Sequence, residues 1–267
     1  MIFVIDIGNS HTVTGLYSGD QLLGQWRMKS ERGSTEDELA IRYHALFAME
    51  GLNIADISAI VIASVVPTLE TAWLSCCRKH FATHLTSPVL TVSNTTVADL
   101  IKVKMPNPSE VGADRLVNAI AAYHQFPGYL IVIDFGTAIT FDCVNARCEY
   151  LGGAILPGIA ISIEALAQRT AKLPHIDVSD PPDTIIGTTT IEAMKSGILH
   201  GYGAMVDGLV EGIKTELVDS PDLPVKVLAT GGMARIIAPY SRKIDHIDPL
   251  LTLRGLKLIY EHKLGSS

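Results

Sequence analysis

Cysteine is scarce in this chain. There are four in 267 residues, and none falls in the doubled Cys-x2-Cys spacing of a zinc knuckle. That excludes a disulfide framework and a structural zinc site. Cys76-Cys77 on an expected helix, and Cys143 and Cys148 at an expected hairpin, are left as small buried hydrophobes. Basic runs are missing as well. Lys and Arg number 21 against 28 Asp and Glu, a net charge of −7, so nucleic acid, which is bound chiefly by phosphate neutralisation, is not an expected partner. No apolar stretch reaches the roughly 18–20 residues of a membrane span, and no basic leader precedes the first apolar run. The expectation is a soluble, cytoplasmic protein without a membrane partner. Four signatures of chemistry are absent too: Gly-x4-Gly-Lys-Ser/Thr, Gly-x-Gly-x-x-Gly, His-Glu-x-x-His and Gly-x-Ser-x-Gly. A P-loop, a dinucleotide fingerprint, a zinc protease helix and a hydrolase elbow are thereby set aside.

What the chain does have is one motif twice. Val4-Ile5-Asp6-Ile7-Gly8 opens it and Val132-Ile133-Asp134-Phe135-Gly136 recurs near the middle. Each copy is an apolar run ending in Asp-x-Gly, then a small or polar turn, then a second β-rich run: Asn9-Ser10-His11-Thr12-Val13 in the first, Thr137-Ala138-Ile139-Thr140-Phe141 in the second. A strand of this kind delivers its Asp to the carboxyl end, and Gly lets the backbone turn with its N–H groups open to a ligand. An Asx turn accounts for either copy alone. Two copies, with 48% hydrophobic residues to bury, point to paired hairpins around a nucleotide–metal complex, with Asp6 orienting Mg²⁺ through its waters.

The pattern predicts strands at 2–7, 12–17 and 21–28, a helix from Ser34 to Glu50 with a Thr35–Glu38 capping box, a strand at 57–66, a helix at 68–81 and a strand at 89–92. The second half repeats the plan: strands at 129–134, 138–145 and 147–155, a helix from Ile159, one long helix or two over 188–218 joined near Gly201–Gly203, a strand at 225–230, a strand at 244–247 and a helix from Pro249 to His262. A β-β-β-α-β-α-β order told twice implies an α/β fold of two layered domains, residues 1–128 and 129–263, with 264–267 as a tail. Gly231-Gly232, between a strand and a helix, lets a flat ring approach the backbone and is a candidate adenosine corner. In Gly112-Ala113-Asp114-Arg115 an Asp able to accept a hydroxyl proton stands beside a cation able to pair with an anion. A helix-start salt bridge is the alternative there.

With those motifs the chain resembles the type III pantothenate kinases of the actin/hexokinase/Hsp70 superfamily. The resemblance runs through Asp6-Ile7-Gly8-Asn9-Ser10, Asn107 to Arg115, Asp134-Phe135-Gly136-Thr137-Ala138, Gly152 to Gly158, Thr190 to Gly197, Thr230-Gly231-Gly232 and Leu251 to Leu256. It implies duplicated ribonuclease H-like, actin-like ATPase domains with a nucleotide cleft between them. It also implies ATP-dependent phosphorylation of pantothenate, the first step of coenzyme A biosynthesis. On this resemblance Asp114 is the general base. ATP is held by Asp6, Ile7, Gly8, Asn9, Ser10, His11, Thr12, Val13, Gly136, Thr137, Gly231 and Gly232. Pantothenate is held by Met105, Gly112, Ala113, Asp114, Arg115 and Thr190. Asp134 implies a monovalent cation, K⁺ or NH₄⁺, beside Mg²⁺ at Asp6, and the family's homodimer implies a substrate pocket completed by the partner subunit. One departure stands out: Met105 occupies the place where family members commonly carry Tyr, and a thioether lacks the phenolic donor. A non-catalytic regulatory protein on the same scaffold, or a kinase for another small hydroxy acid, are the competing readings. Buried carboxylates kept at 6, 114 and 134 favour the enzyme.

Overall fold

The computed structural model describes residues 1–82, 85–218 and 223–265. Ser266 and Ser267 of the expected tail lie outside them, while Leu264 belongs to the last helix. The chain forms two compact units, Met1–Ala121 with Leu251–Ser267, and Ala122–Leu250.

The first unit opens with β1 (Ile2–Ile7), β2 (His11–Ser18) and β3 (Gln21–Lys29), followed by α1 (Glu36–Met49), β4 (Ala59–Ser64), α2 (Pro67–Cys76), β5 (Leu90–Thr91) and β6 (Lys102–Val103). Its sheet runs β3-β2-β1-β4-β5. The apolar strand β1 is central, antiparallel to β2 and parallel to β4, with Asp6 opposite Val13 on one side and Ala63 on the other. Phe3, Val4, Ile5 and Ile7 are all fully buried, because an almost continuous Ile/Val/Phe run needs both faces of its sheet covered. Aromatics are only 6% of the chain, yet Trp26, Tyr43, Phe47, Trp73 and Phe81 all pack within 6.5 Å, ring to ring, of Phe3. This cluster clamps α1 and α2 onto one face of the sheet. The expected capping box is present: Glu38 N donates to Thr35 Oγ1 at 3.3 Å and Thr35 N to Glu38 Oε2 at 2.8 Å. The helix expected over 68–81 is α-helical only to Cys76 and continues as a wider π turn over Cys77–Phe81. Both thiols there are buried, which pushes each up to about 12.

A helix outside the predicted elements, α3 (Ala113–Gln125), leads into the second unit, with Asp114-Arg115 at its start. That unit contains β7 (Tyr129–Phe135), β8 (Ala138–Val144), β9 (Glu149–Pro157), α4 (Ile159–Arg169), α5 (Thr190–Leu217), β10 (Val225–Thr230), α6 (Ala234–Ile237) and β11 (His246–Ile247). Its strands are ordered β11-β10-β7-β8-β9. The central β7 is antiparallel to β8 and parallel to β10, placing Asp134 opposite Thr140 and Thr230. The pairing around Asp6 is therefore repeated around Asp134. The 188–218 segment holds one helix, the 28-residue α5, rather than two. Each internal Gly costs a helix only about 1 kcal/mol, and the buried stripe of Ile198, Leu199, Val206 and Val210 outweighs it. The closing helix, α7 (Leu251–Gly265), packs in the first unit, where Thr252 Oγ1 donates to Asn118 Oδ1 at 2.7 Å.

Candidate functional site

In the first unit, β1 stops at Ile7 because Gly8 N–H turns back to the His11 carbonyl at 3.1 Å, opening β2 at once. Asn9 and His11 are exposed, Asp6, Gly8, Ser10 and Val13 half-buried, Ile7 and Thr12 buried. The Ile7 side chain belongs to the apolar core, and its carbonyl accepts from Val65 N at 3.0 Å. The Thr12 hydroxyl is engaged by Ser30 at 3.0 Å. His11 is kept below the ordinary histidine value by partial burial, then by Arg27 and Lys29, and Arg27 Nη2 lies 3.1 Å from His11 Nδ1. His11 is thus neutral at pH 7, with Nδ1 accepting from Arg27. An NMR pH titration is expected to place its midpoint below the ordinary value and to move it upward in Arg27→Ala; an unmoved midpoint would contradict this contact.

The Asp114 segment reaches the same end of the sheet. Asn107–Glu110 forms a short turn in which Asn107 Nδ2 donates to Glu110 Oε1 at 2.8 Å, and α3 begins at Ala113. Asp114 folds back over the backbone, accepting from Arg115 N at 2.8 Å. A Cβ at position 112 would lie 2.5 Å from Asp114 Oδ1 and 3.3 Å from Val65 Cγ1, so only glycine leaves the carboxylate its place. Val65 N donates to the Ile7 carbonyl, and its Cγ1 lies where a Cβ at position 112 would come within 3.3 Å, so the Asp6 and Asp114 stretches are neighbours where the parallel strands β1 and β4 end. Open α/β sheets bind ligands at such strand ends. Two influences compete at Asp114. Burial raises its pKa; the Arg115 N–H and guanidinium, with the helix N-terminus, lower it. Burial wins, and the carboxyl is held above its ordinary value. Met105, half-buried, precedes this turn.

In the second unit, Gly136 N donates to the Ala138 carbonyl at 3.1 Å and the Thr137 carbonyl accepts from Gly158 N at 3.1 Å. Gly231 has φ +89°, and a Cβ there would meet Asp134 Oδ1 at 2.4 Å and the Phe135 backbone at 2.7 Å. The Gly231-Gly232 corner thus lies directly against the Asp134 carboxylate, bringing Asp134, Gly136, Thr137, Gly231 and Gly232 into one neighbourhood. Thr190 is exposed at the first position of α5, held by its neighbours' cap, in which Glu192 N donates to Thr189 Oγ1 at 3.2 Å. Three residues at these sites carry no mark in the sequence as site residues: Ser30 and Arg32, which bond the first hairpin, and Val65. Their partners lie far away along the chain, so only the fold reveals them.

The repeated strand–turn–strand units place the protein in the duplicated ribonuclease H-like class of actin- and hexokinase-type proteins. A conserved Baf-family protein from Campylobacter jejuni shares the fold at TM-score 0.58 and 19% identity, covering 98% of this chain and 99% of its own. Component A of (R)-2-hydroxyglutaryl-CoA dehydratase from Acidaminococcus fermentans does so at TM-score 0.54 and 13% identity, with 100% coverage of both chains. The sequence is more specific. The profile of the type III pantothenate kinases matches residues 2–212. The type III pantothenate kinase of Desulfotalea psychrophila is 60% identical over 97% of both chains, and that of Geobacillus sp. strain WCH70 is 47% identical over 98% of this chain and 97% of its own. The chain belongs to the type III pantothenate kinase family and is a phosphotransferase. Among the described residues, no helix is long and apolar enough to cross a membrane.

Proposed function

We propose that this chain transfers the γ-phosphoryl group of ATP to the primary hydroxyl of pantothenate, giving ADP and 4′-phosphopantothenate, the entry to coenzyme A biosynthesis. The observation that carries the reading is the Asp114 carboxylate. It is held more basic than usual by burial, and its segment lies beside Val65, which hydrogen-bonds to Ile7 at the strand end that carries Asp6. A more basic carboxylate is a better acceptor for the hydroxyl proton as phosphorus–oxygen bonding advances. Arg115, Gly112, Ala113, Met105 and Thr190 are assigned to pantothenate, whose carboxylate suits the guanidinium. Asp6, Gly8, Asn9, Ser10, His11 and Val13 line the first nucleotide hairpin, with Ile7 and Thr12 supporting it from behind. Gly136, Thr137, Gly231 and Gly232 take the remaining share of ATP. A homodimer whose partner subunit completes the substrate pocket is part of this reading.

Two ions are implied, Mg²⁺ and a monovalent cation. Among the described residues no group of three or more His, Cys, Asp or Glu side chains forms a metal cage. One carboxylate at each place, Asp6 and Asp134, fits ions that keep water and phosphate oxygens as their other ligands. Asp6 would hold Mg²⁺, and Asp134, beside the Gly231 backbone, would hold K⁺ or NH₄⁺. When bound, these ions neutralise charge on the phosphates. ADP release coupled to a dehydrogenase is expected to need pantothenate and to run faster in potassium than in sodium. ADP release indifferent to pantothenate would set the substrate assignment aside.

A further inference from the structure

Three hydrogen bonds converge on one serine at the end of β3. Ser30 N donates to the Ser10 carbonyl at 2.9 Å, its hydroxyl donates to the Gly8 carbonyl at 2.6 Å, and the same oxygen lies 3.0 Å from Thr12 Oγ1. With the Ser30 proton committed to Gly8, the Thr12 hydroxyl is the donor in the last bond. Gly8, Ser10 and Thr12, alternate residues of the first hairpin, are thereby stitched to a single residue from a different loop. The same strap reaches the hairpin's two exposed side chains. Arg32 Nη2 donates to Asn9 Oδ1 at 3.3 Å, and Arg27 Nη2 contacts His11 Nδ1 at 3.1 Å. Glu31, the acidic residue between them, pairs with Arg42 of α1 at 2.6 Å. In a chain of net charge −7, this rim is locally cationic.

A turn of Gly, Asn and Ser is conformationally loose, and ordering it when ligand binds costs affinity. We propose that Ser30 is the positioning residue of the first hairpin. It holds the Gly8–Thr12 turn in the shape that receives the phosphates of a nucleoside triphosphate, while Arg27 and Arg32 supply positive charge at the rim. This rests on the nucleotide assignment of that hairpin. Ser30 touches no substrate itself; it acts through Gly8 and Thr12.

The test compares Ser30→Ala, Ser30→Thr and Asp6→Asn in the full-length enzyme, reading kcat, KM for ATP, KM for pantothenate and Tm. Ser30→Ala is expected to raise the KM for ATP about tenfold, equivalent to about 1.4 kcal/mol, with the KM for pantothenate unchanged. Ser30→Thr, which keeps the hydroxyl, regains most of the loss. If both KM values and Tm shift together in Ser30→Ala, or if Ser30→Thr is as impaired as Ser30→Ala, the positioning role is overturned. If Asp6→Asn alters ATP dependence and Ser30→Ala does not, the hairpin binds nucleotide but Ser30 does not set it. If neither alters it, this proposal and the nucleotide assignment fall together.

Discussion

Asp114→Asn lowers kcat by roughly two to four orders of magnitude, the usual contribution of a positioned base, and leaves ATP affinity near that of the parent. Asn keeps the shape and can still accept from Arg115 N–H, but it cannot take a proton. The same substitution does not lower Tm. Asp114 titrates above its ordinary value in the folded protein because burial penalises its charge. Between the ordinary and the raised value the folded state binds more protons than the unfolded one, so stability falls as pH rises through that window. Above it the ionised carboxylate is a net cost that Asn removes. Activity lost with stability kept or gained is the signature of a site residue rather than a structural one. The parent enzyme should also lose kcat/KM as pH falls through the raised Asp114 value. Steady-state kinetics with calorimetry decide this, and near-normal turnover in Asp114→Asn would remove the base assignment.

Gly231→Ala damages both fold and function. A non-glycine residue at φ +89° carries about 1–2 kcal/mol of backbone strain. In addition, the new Cβ would fall 2.4 Å from Asp134 Oδ1 and 2.7 Å from the Phe135 backbone. Neither contact is tolerable, so the carboxylate or the end of β7 must move. Strain and displacement together, on the order of 2–3 kcal/mol, correspond to a Tm lower by about 5–10 °C in a protein of this size. ATP binding should weaken along with it, because Gly136 and Thr137 follow directly from the displaced strand. Parent-like Tm and ATP affinity in this variant would mean that the Gly231 corner and Asp134 are not coupled.

The local features were legible in the sequence because their causes are local. Apolar runs at 2–7 and 225–230, the Thr35–Glu38 cap and the Asp-x-Gly turns all rest on neighbouring residues, and the structure shows them where the pattern puts them. Long-range causes were not legible. The π turn at Cys77–Phe81 and the unbroken 28-residue α5 depend on packing against other elements. Placement of α7 in the first unit depends on contacts with residues such as Asn118, more than a hundred positions earlier. Helix α3 carries a buried face of Leu116, Val117 and Ile120, yet the sequence marks only its start, at Asp114-Arg115. The candidate site divides in the same way. Asp6, Asp134 and the glycines stand out as a repeat, whereas Ser30 and Val65 are ordinary residues until the fold gives them partners.

The central claim is that Asp114 faces the hydroxyl to be phosphorylated while the Gly8–Thr12 turn receives ATP. A crystal structure with pantothenate and a non-hydrolysable ATP analogue measures it directly. The primary hydroxyl of pantothenate is expected within about 2.6–3.2 Å of the Asp114 carboxylate, with phosphate oxygens against the first hairpin. A complex in which that hydroxyl lies out of reach of Asp114, or the phosphates bind away from Gly8–Thr12, would contradict the account.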